Sequence, residues 1–382
     1  MNKIKLIKTS SYYKYYIVNL YQAEKKLKDA SYDEQYKRIM SDCYGWSDFW
    51  KSHLEATDNF EVREIIFNNE IMQKQWAKEH NISYNKSNWQ EVILEAQLAE
   101  YKPDIWFSHG DISSQSRLRL RKNTPSLKYV LGYDGTGKHQ SEFFLGCDIM
   151  LSCFHHTLDY YKEHGYKVYF LPYAFEKKIL NKIKQRELKY DVSFVGSFYP
   201  FKGLHSQRLK LITDLTKKVH IDIWSPSILR KGLVNSLWSL SKLVRNGQWK
   251  DIYYSSYIDN ISNNSIYGLD MYQVLADSKI TINTHGDLQL KKGGNMRLFE
   301  ATGTGTCLLT DWKENISDFF EPEKEIVTYK SFDECLEKIK YLLSHEDERK
   351  AIAAAGQQRT LTEHSYDNVF SQFLCYLEEV MK

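Results

Sequence analysis

The chain has 382 residues, of which 42% are hydrophobic and 26% charged, and its formal net charge is +3. A chain of this length exceeds what one hydrophobic core usually supports, so we expect two domains. The mild charge argues against the concentrated basic face of a nucleic-acid-binding protein, so nucleic acid is not an expected partner.

The first ten residues carry three lysines but no apolar run long enough for a signal peptide or a membrane span, so we expect a cytoplasmic protein. The cysteines are scattered without the close pairs of a zinc site, and we interpret them as reduced core residues. They are Cys43, Cys147, Cys153, Cys307, Cys335 and Cys375. No metal site is expected.

Strand and helix patterns alternate through the N-terminal half of the chain. They predict strands at 3–8, 60–67, 103–107, 127–132, 148–153 and 168–171, and helices at 47–57, 76–80, 89–101 and 155–164. Such an alternation is typical of an α/β domain with a doubly wound parallel sheet.

A second alternation follows a charged segment, residues 177–189, which we interpret as an interdomain linker. It predicts strands at 191–196, 220–224, 279–283, 307–311 and 326–327, and helices at 207–215 and 271–276. A third helix should begin at the capping box formed by Ser331 and Glu334, and a fourth should run from 347 and end at Gly356. We therefore predict two Rossmann-like domains, 1–185 and 186–382, that face each other across a cleft. The last helix is a candidate to return to the N-terminal domain.

The segment from Gly293 to Asp311 organises the second domain, because a glycine pair, a short helix and an apolar strand follow one another there. Asn295 is placed to cap the helix. Arg297 and Glu300 share one face near its positive end, where Arg297 suits a phosphate and Glu300 suits a pair of sugar hydroxyls. The alternative is that the two side chains form an ion pair on a packing helix.

This run, GGNMRLFEATGTGTCLLTD, resembles the C-terminal domain of the CgeB-like (spore-maturation-protein-like) glycosyltransferases. The resemblance extends over residues 265–370 and more loosely from about residue 100 onward. That family is similar to the retaining glycosyltransferases of the glycosyltransferase-B fold. The resemblance implies a donor site for a nucleotide-diphosphate sugar in the C-terminal domain. We expect this site at the carboxyl ends of the strands, at the cleft.

The resemblance also assigns donor contacts. Lys202 matches the lysine of the turn that follows the first strand of the domain, and with Arg208 it would neutralise the leaving diphosphate. Glu300 matches the second glutamate of a paired-glutamate motif and would hold the ribose hydroxyls, whereas Lys292 stands where the first glutamate is expected. The backbone amides of Gly293, Gly294 and Asn295 would take over part of that role, and His285 ends the preceding strand and would face the donor.

Two N-terminal loops follow predicted strands and are candidates for the acceptor side. Asp134 in the loop 133–139 would serve as base toward an acceptor hydroxyl, and His109 with Asp111 in the loop 108–111 is the competing pair. The alternative for each loop is a turn selected for its Asp and Gly geometry.

The segment 225–250 contains five basic residues and no acidic residue, and its leucines recur at roughly helical spacing. A basic amphipathic helix of this kind binds anionic membrane surfaces. Peripheral contact with the inner membrane face is one hypothesis, and packing of the segment within the protein is the other.

The sequence thus predicts a cytoplasmic, metal-independent glycosyltransferase that uses a nucleotide sugar as co-substrate and no resident cofactor. The acceptor would be a cell-surface polysaccharide, a lipopolysaccharide or a lipid-linked glycan. The alternatives are a nucleotide-sugar epimerase of the same architecture and a non-enzymatic sugar-binding module.

Overall fold

The computed structural model describes residues 3–135, 137, 141–199, 205–228, 249–286 and 291–381. The chain forms two compact units, the first comprising Met1–Pro172 with Tyr366–Lys382 and the second comprising Tyr173–Ser365. The chain therefore leaves the first unit once and returns to it for its last helix.

The first unit is built on a six-stranded parallel sheet in the order β2-β1-β3-β4-β5-β6. Its strands are β1 (Ile4–Ser10), β2 (Phe60–Ile66), β3 (Ile105–Ser108), β4 (Tyr129–Asp134), β5 (Ile149–Ser152) and β6 (Lys167–Phe170). Its helices are α1 (Lys14–Ala23), α2 (Tyr32–Ser41), α3 (Phe49–Glu55), α4 (Glu70–Glu79), α5 (Trp89–Tyr101), α6 (Ser114–Asn123), α7 (His155–Glu163) and, after the second unit, α14 (Tyr366–Met381).

Helices cover the sheet of the first unit on both faces. On one face α5 contributes Leu94 and Leu98 to a core around Trp106 of β3. On the other, Trp50 of α3 packs edge-to-face against Phe370 and Phe373 of α14, with ring centroids 4.9 and 4.8 Å apart. The last helix thus completes this core.

Helices α1, α2 and α6 do not follow from the sequence patterns given above. Helix α6 is mostly polar. Its buried side chains include Leu120 and the fully buried Arg117, which donates to backbone carbonyls. Helix α2 begins with a capping box between Ser31 and Glu34, which is a start signal readable from the sequence.

The second unit contains a five-stranded parallel sheet in the order β11-β10-β9-β7-β8. Its strands are β7 (Tyr190–Val195), β8 (Asp222–Trp224), β9 (Ser278–Asn283), β10 (Cys307–Asp311) and β11 (Val327–Tyr329). Its helices are α8 (Ser206–Thr216), α9 (Trp249–Ile261), α10 (Gly268–Ala276), α11 (Met296–Gly303), α12 (Phe332–Ser344) and α13 (Glu346–Glu363). The apolar run after Gly305 forms the buried strand β10.

Gly356 does not end its helix, contrary to our prediction, because α13 continues to Glu363. A Cβ atom at position 356 would lie 2.2 Å from the carbonyl oxygen of Glu325. The glycine therefore permits close packing of the helix against the neighbouring backbone and does not terminate it.

The charged segment that we interpret as a linker, 177–189, lies within the second unit, because the chain leaves the first unit earlier, after Pro172. The segment contains a 3-10 helix at Lys177–Asn181, in which Ile179 is fully buried. Arg186 donates to the carbonyl of Ala276 at 2.7 Å. This charged segment therefore makes specific contacts within the second unit.

Candidate functional site

Arg297 and Glu300 form the predicted alternative, an ion pair on α11. Nη1 of Arg297 lies 2.8 Å from Oε2 of Glu300, and both side chains are largely buried. The guanidinium also donates to the carbonyl of Val195, where β7 ends, at 3.2 Å. The pair is consequently fixed against the carboxyl end of the sheet in the second unit.

Asn295 occupies the N-cap position of α11, but its side chain makes no capping hydrogen bond, so this prediction is wrong. The amide instead exchanges hydrogen bonds with Asn283 at the end of β9, at 3.0 and 3.3 Å. Asn283 also donates to the hydroxyl of Thr310 on β10 at 2.9 Å. The side chain of Asn295 therefore ties the helix to two strand ends instead of satisfying the helix amides.

His285 is buried directly after β9 and joins two neighbouring elements. Its Nδ1 lies 2.7 Å from Oδ1 of Asp311, and its Nε2 accepts from the backbone N–H of Gly294 at 3.2 Å. The tautomer that satisfies both contacts carries its proton on Nδ1. The imidazole thereby links the strand β10 to the glycine loop.

Asp311 and Lys313 extend this network. Nζ of Lys313 lies 3.0 Å from the second carboxylate oxygen, Oδ2, of Asp311. Burial by itself raises the pKa of the Asp311 carboxyl, but its interactions with His285 and then with Lys313 hold that pKa well below its usual range. Asp311 is thus an ionised group that accepts from His285 through Oδ1 and binds the Lys313 cation through Oδ2.

The backbone amides of the glycine pair are already engaged. The N–H of Gly293 donates to Oδ1 of Asn315 at 2.7 Å, while that of Gly294 donates to His285. A Cβ atom on Gly293 would lie 2.5 Å from Nε2 of His285, so only glycine fits beside the imidazole. The expected donor contacts through these two amides would require the loop to exchange partners.

Arg208 of α8 connects two strand ends. Its guanidinium donates to the carbonyl of Ser197, after β7, at 2.9 Å and to that of Thr284, after β9, at 2.6 Å. Burial, and then the neighbouring Arg208, lowers the pKa of His205 to about 3. Lys202 lies outside the described residues, so its predicted contact with the diphosphate stays a prediction.

In the first unit, His109 follows β3 and is surrounded by aromatic rings. It stacks on Trp46 with ring centroids 4.6 Å apart and meets Tyr133 edge-on. Burial, with a further contribution from Lys8, lowers the pKa of His109 to about 3, so the ring is neutral near pH 7. Its Nδ1 is buried and has no hydrogen-bond partner among the described residues.

Asp111 is exposed and lies in the loop that follows β3. Its backbone N–H donates to the hydroxyl of Ser11, after β1, at 3.0 Å. In the part of the chain that the structure describes, its carboxylate has no hydrogen bond or ion pair. The loops after β1 and β3 therefore present this carboxylate to solvent.

Asp134 ends β4 and is almost fully buried. Its carboxylate accepts from the hydroxyl of Tyr161 at 2.9 Å and from the N–H of Gly137 at 3.2 Å. These contacts correspond to the turn alternative. Asp134 and the 108–111 loop lie at the carboxyl ends of β4 and β3, which are adjacent strands.

The residues that sequence reasoning missed are partners of those it selected. Asp311 binds His285 and is itself bound by Lys313. Asn283 binds Asn295, and Trp46 covers His109. Asp311 ends a predicted strand next to the strand that His285 follows, and that adjacency was the available signal. The order of strands in the sheet, which the sequence does not state, was needed to use it.

Most of the basic segment 225–250 lies outside the described residues, because the structure describes neither 229–248 nor the side chain of Trp249. Among the helices in the described ranges, none is both long and apolar enough to span a bilayer. Within those ranges, no group of three or more His, Cys, Asp or Glu residues is arranged to hold a metal ion.

Comparison with solved structures assigns the class of fold. HepE from Anabaena in complex with UDP and glucose has a TM-score of 0.58 at 9% identity, covering 98% of this chain and 100% of that one. The lipopolysaccharide outer core galactosyltransferase WaaB gives 0.51 at 14%, covering 98% and 99%. A UDP-N-acetylglucosamine 2-epimerase from Listeria monocytogenes, described as putative, gives 0.50 at 11%, covering 100% and 97%. The chain has the glycosyltransferase-B fold.

The sequence comparison is more specific about activity. Residues 206–375, which contain most of the second unit, match the model of a family described as glycosyl transferase-like. This match supports glycosyl transfer as the class of reaction. No curated protein sequence gives a significant match to the chain.

Proposed function

We propose that this protein transfers a glycosyl group from a nucleotide-diphosphate sugar, bound by the second unit, to a glycan or lipid-linked acceptor. The matched family model and the fold support glycosyl transfer, and HepE, a protein of similar fold, was solved with UDP and glucose. The family match over residues 206–375 carries the proposal, and the buried pair of Arg297 and Glu300 at the first turns of α11 is the proposed donor contact.

Glu300 is proposed to accept hydrogen bonds from the ribose diol of the donor. A carboxylate accepts two hydroxyl donors well, and these bonds are stronger than those between neutral groups. Arg297 holds one carboxylate oxygen at 2.8 Å and so orients the acceptor atoms before the ligand arrives. The same guanidinium lies near the helix N-terminus, where a phosphate is also favoured.

The cations around the strand ends are proposed to stabilise the leaving diphosphate. Negative charge grows on that group as the glycosidic C–O bond breaks, so positive groups held in place lower the barrier. Arg208 and Arg297 are positioned by backbone carbonyls, and Lys202 is the further cation of the predicted set. His285 and Asp311 are positioning residues in this scheme, because they hold the loop that contains Gly293 and Gly294.

The acceptor hydroxyl is proposed to meet Asp111 in the first unit. Of the three candidates, Asp111 has the exposed carboxylate, whereas that of Asp134 is buried and hydrogen-bonded. The neutral ring of His109, with its low pKa, is suited to orient a hydroxyl and is a poor proton acceptor. Metal independence, a cytoplasmic location and membrane contact through 225–250 remain predictions.

The test combines substrate turnover with one matched pair of variants. The protein is incubated with a panel of nucleotide-diphosphate sugars, and nucleotide release is followed with and without glycan acceptors. Release that depends on an acceptor supports transfer. Epimerised sugar without transfer indicates the epimerase, and binding without turnover indicates the sugar-binding module.

Glu300→Gln should weaken binding of the nucleoside diphosphate in calorimetry by about 1.5–3 kcal/mol, or about 10- to 150-fold, because a charged acceptor of the ribose diol is lost. The matched control is Glu363→Gln, which removes the carboxylate of another ion pair, Arg359–Glu363, on an exposed helix face. Equal affinity of Glu300→Gln and wild type would reject the ribose assignment.

A further inference from the structure

Helix α1 is apolar on the side that faces solvent as well as on the side that packs. Tyr15 and Val18 are 40% and 37% exposed, and Tyr13, directly before the helix, is 55% exposed. Their spacing places Tyr15 and Val18 next to each other on one face. Large apolar side chains grouped on a surface in this way indicate an interaction site. The side chains that pack on the first unit lie on the opposite face of the helix and are Tyr16, Leu20 and Tyr21.

Exposed lysines accompany these apolar side chains. Lys14 lies four residues before Val18 and therefore on the same side of α1. A short 3-10 helix, Lys25–Asp29, follows α1 and contributes three more lysines. All four lysines are exposed, and none has an ion pair in the part of the chain that the structure describes. The exposed tyrosine, valine and lysine side chains of residues 13–28 form the α1 surface.

The acidic residue within this segment is already compensated. Glu24, the one acidic residue between positions 13 and 28, accepts from Nε of Arg38 at 2.8 Å. Asp29, which follows the segment, is exposed and reduces the local positive charge by one. On the neighbouring α2, Glu34 is held in its capping box, and Asp33 lines a cavity at the edge of β2. The α1 surface therefore has a positive charge.

The start of α1 is in contact with the loop that contains Asp111. Ser11, two residues before Tyr13, accepts from the N–H of Asp111 at 3.0 Å. A Cβ atom at Gly110 would lie 2.6 Å from Oγ of Ser11, so the two loops pack directly against each other. The exposed carboxylate that we propose to meet the acceptor is thus held close to the α1 surface.

The composition of the α1 surface matches the boundary of an anionic lipid bilayer. Tyrosine suits that boundary because its ring is apolar and its hydroxyl stays hydrated among the head groups. Lysines near such a surface are attracted to anionic head groups. A soluble polyanion would engage the lysines but would leave the tyrosines and the valine in water. The pairing of exposed apolar side chains with lysines therefore favours a membrane surface as the partner.

We propose that the first unit binds the surface of an anionic lipid bilayer through the α1 surface. Tyr13, Tyr15 and Val18 enter the head-group region, while Lys14 and the lysines of the 3-10 helix contact anionic head groups. This membrane contact does not require the proposed transfer reaction. In that reaction it would bring a lipid-linked acceptor to Asp111, and this consequence alone rests on the proposed function.

The test is sedimentation of the full chain with vesicles of phosphatidylcholine, with and without phosphatidylglycerol. The wild type should bind the vesicles that contain the anionic lipid. Raising the salt from about 0.1 M to 1 M should release the protein, because the Debye length falls from about 10 Å to 3 Å.

A triple variant tests the charge of the α1 surface. Lys25→Gln, Lys26→Gln and Lys28→Gln together should weaken binding to anionic vesicles at least about tenfold. The matched control makes the same substitution at three exposed lysines elsewhere, so the two variants have the same net charge. The control should bind like the wild type, and its lysines, which have no ion pair within the described ranges, are Lys162, Lys218 and Lys340.

A double variant tests the apolar side chains. Tyr15→Gln with Val18→Gln should weaken binding about three- to tenfold, because less apolar surface enters the bilayer. Tyr253→Gln with Ile261→Gln, at two exposed apolar side chains of α9, is the matched control and should bind like the wild type. Glutamine is a good helix former, so all variants should fold, and thermal unfolding checks this.

Three outcomes overturn the proposal. The first is a wild-type protein that stays in the supernatant with anionic vesicles. The second is equal binding by the α1 variants and their controls, which would place the membrane contact elsewhere, as the hypothesis for 225–250 predicts. The third is binding to heparin, a soluble polyanion, without binding to vesicles. None of these assays uses a nucleotide sugar, so a failure here is distinct from a failure of the proposed function.

Discussion

The carboxyl ends of the strands are occupied differently in the two units. In the second unit, the candidate side chains are bound to neighbouring side chains, as Arg297 is to Glu300 and His285 is to Asp311. In the first unit, the loop after β3 carries a neutral imidazole among aromatic rings and an exposed carboxylate. A charged ligand in the second unit must displace hydrogen bonds and ion pairs that the candidate side chains already make. A ligand in the first unit would meet the Asp111 carboxylate and the Nδ1 of His109, which have no hydrogen-bond partner among the described residues.

Asp311→Asn should break this comparison most strongly. It removes the buried carboxylate that binds Lys313 at 3.0 Å and should lower the free energy of unfolding by about 3 kcal/mol. Because the folded-state pKa of Asp311 is depressed, its contribution is present above the unfolded pKa of about 4 and is lost as the pH falls below it. Chemical denaturation at pH 7 and pH 3 measures both effects.

Asp214→Asn is the matched control, since Asp214 likewise has two side-chain partners, Lys210 and Lys217, both at 2.9 Å and at the surface. It should cost less than about 1 kcal/mol. Equal losses of unfolding free energy in the two variants would mean that Asp311 stabilises the protein no more than a surface carboxylate does.

His109→Phe tests the first unit through the pH dependence of its stability. The unfolded histidine binds a proton below about pH 6.5, whereas the folded one does so only near its lowered pKa of about 3. Stability is therefore fully present above pH 6.5 and falls as the pH drops toward 3. Between pH 6.5 and pH 5 the wild type should lose up to about 2 kcal/mol more than the variant.

Urea unfolding at the two pH values checks this difference. His220→Phe, at a side chain 81% exposed, should retain the pH dependence of the wild type. A pH dependence in His109→Phe equal to that of the wild type would mean that the pKa of His109 is not lowered in the folded protein.

Asp111→Asn should have the smallest effect on stability. Its exposed carboxylate has no hydrogen-bond or ion-pair partner within the described ranges, so unfolding should change by less than about 0.5 kcal/mol. If Asp111 is the base, turnover should nonetheless fall by at least about 100-fold. Asp134→Asn is the comparison and should lose stability, because Tyr161 donates to that carboxylate. Full turnover in Asp111→Asn would remove the residue from the mechanism.

The sequence predicted what depends on local pattern. Helix α5 occupies the predicted residues 89–101, and the order of loop, helix α11 and strand β10 is confirmed. The three-residue spacing of Arg297 and Glu300 also sufficed to place both on one face. These features depend on periodicity within a few turns of chain.

What the sequence did not predict depends on contacts between distant residues. The side chain of Asn295 does not cap its helix, because it exchanges hydrogen bonds with the amide of Asn283 at the end of β9. The role of Gly356 follows from a carbonyl 31 positions earlier, at Glu325. Such contacts require the strand order and the packing distances, which no local pattern contains.

The return of α14 to the first unit has a consequence for synthesis on the ribosome. The second unit, Tyr173–Ser365, is contiguous and is complete once Ser365 has emerged. The first unit must wait for Phe370 and Phe373, which pack on Trp50, although its other residues are made earlier. The N-terminal part of the nascent chain is thus the last to finish its core, and until then the side of Trp50 that α14 covers lacks its apolar partners.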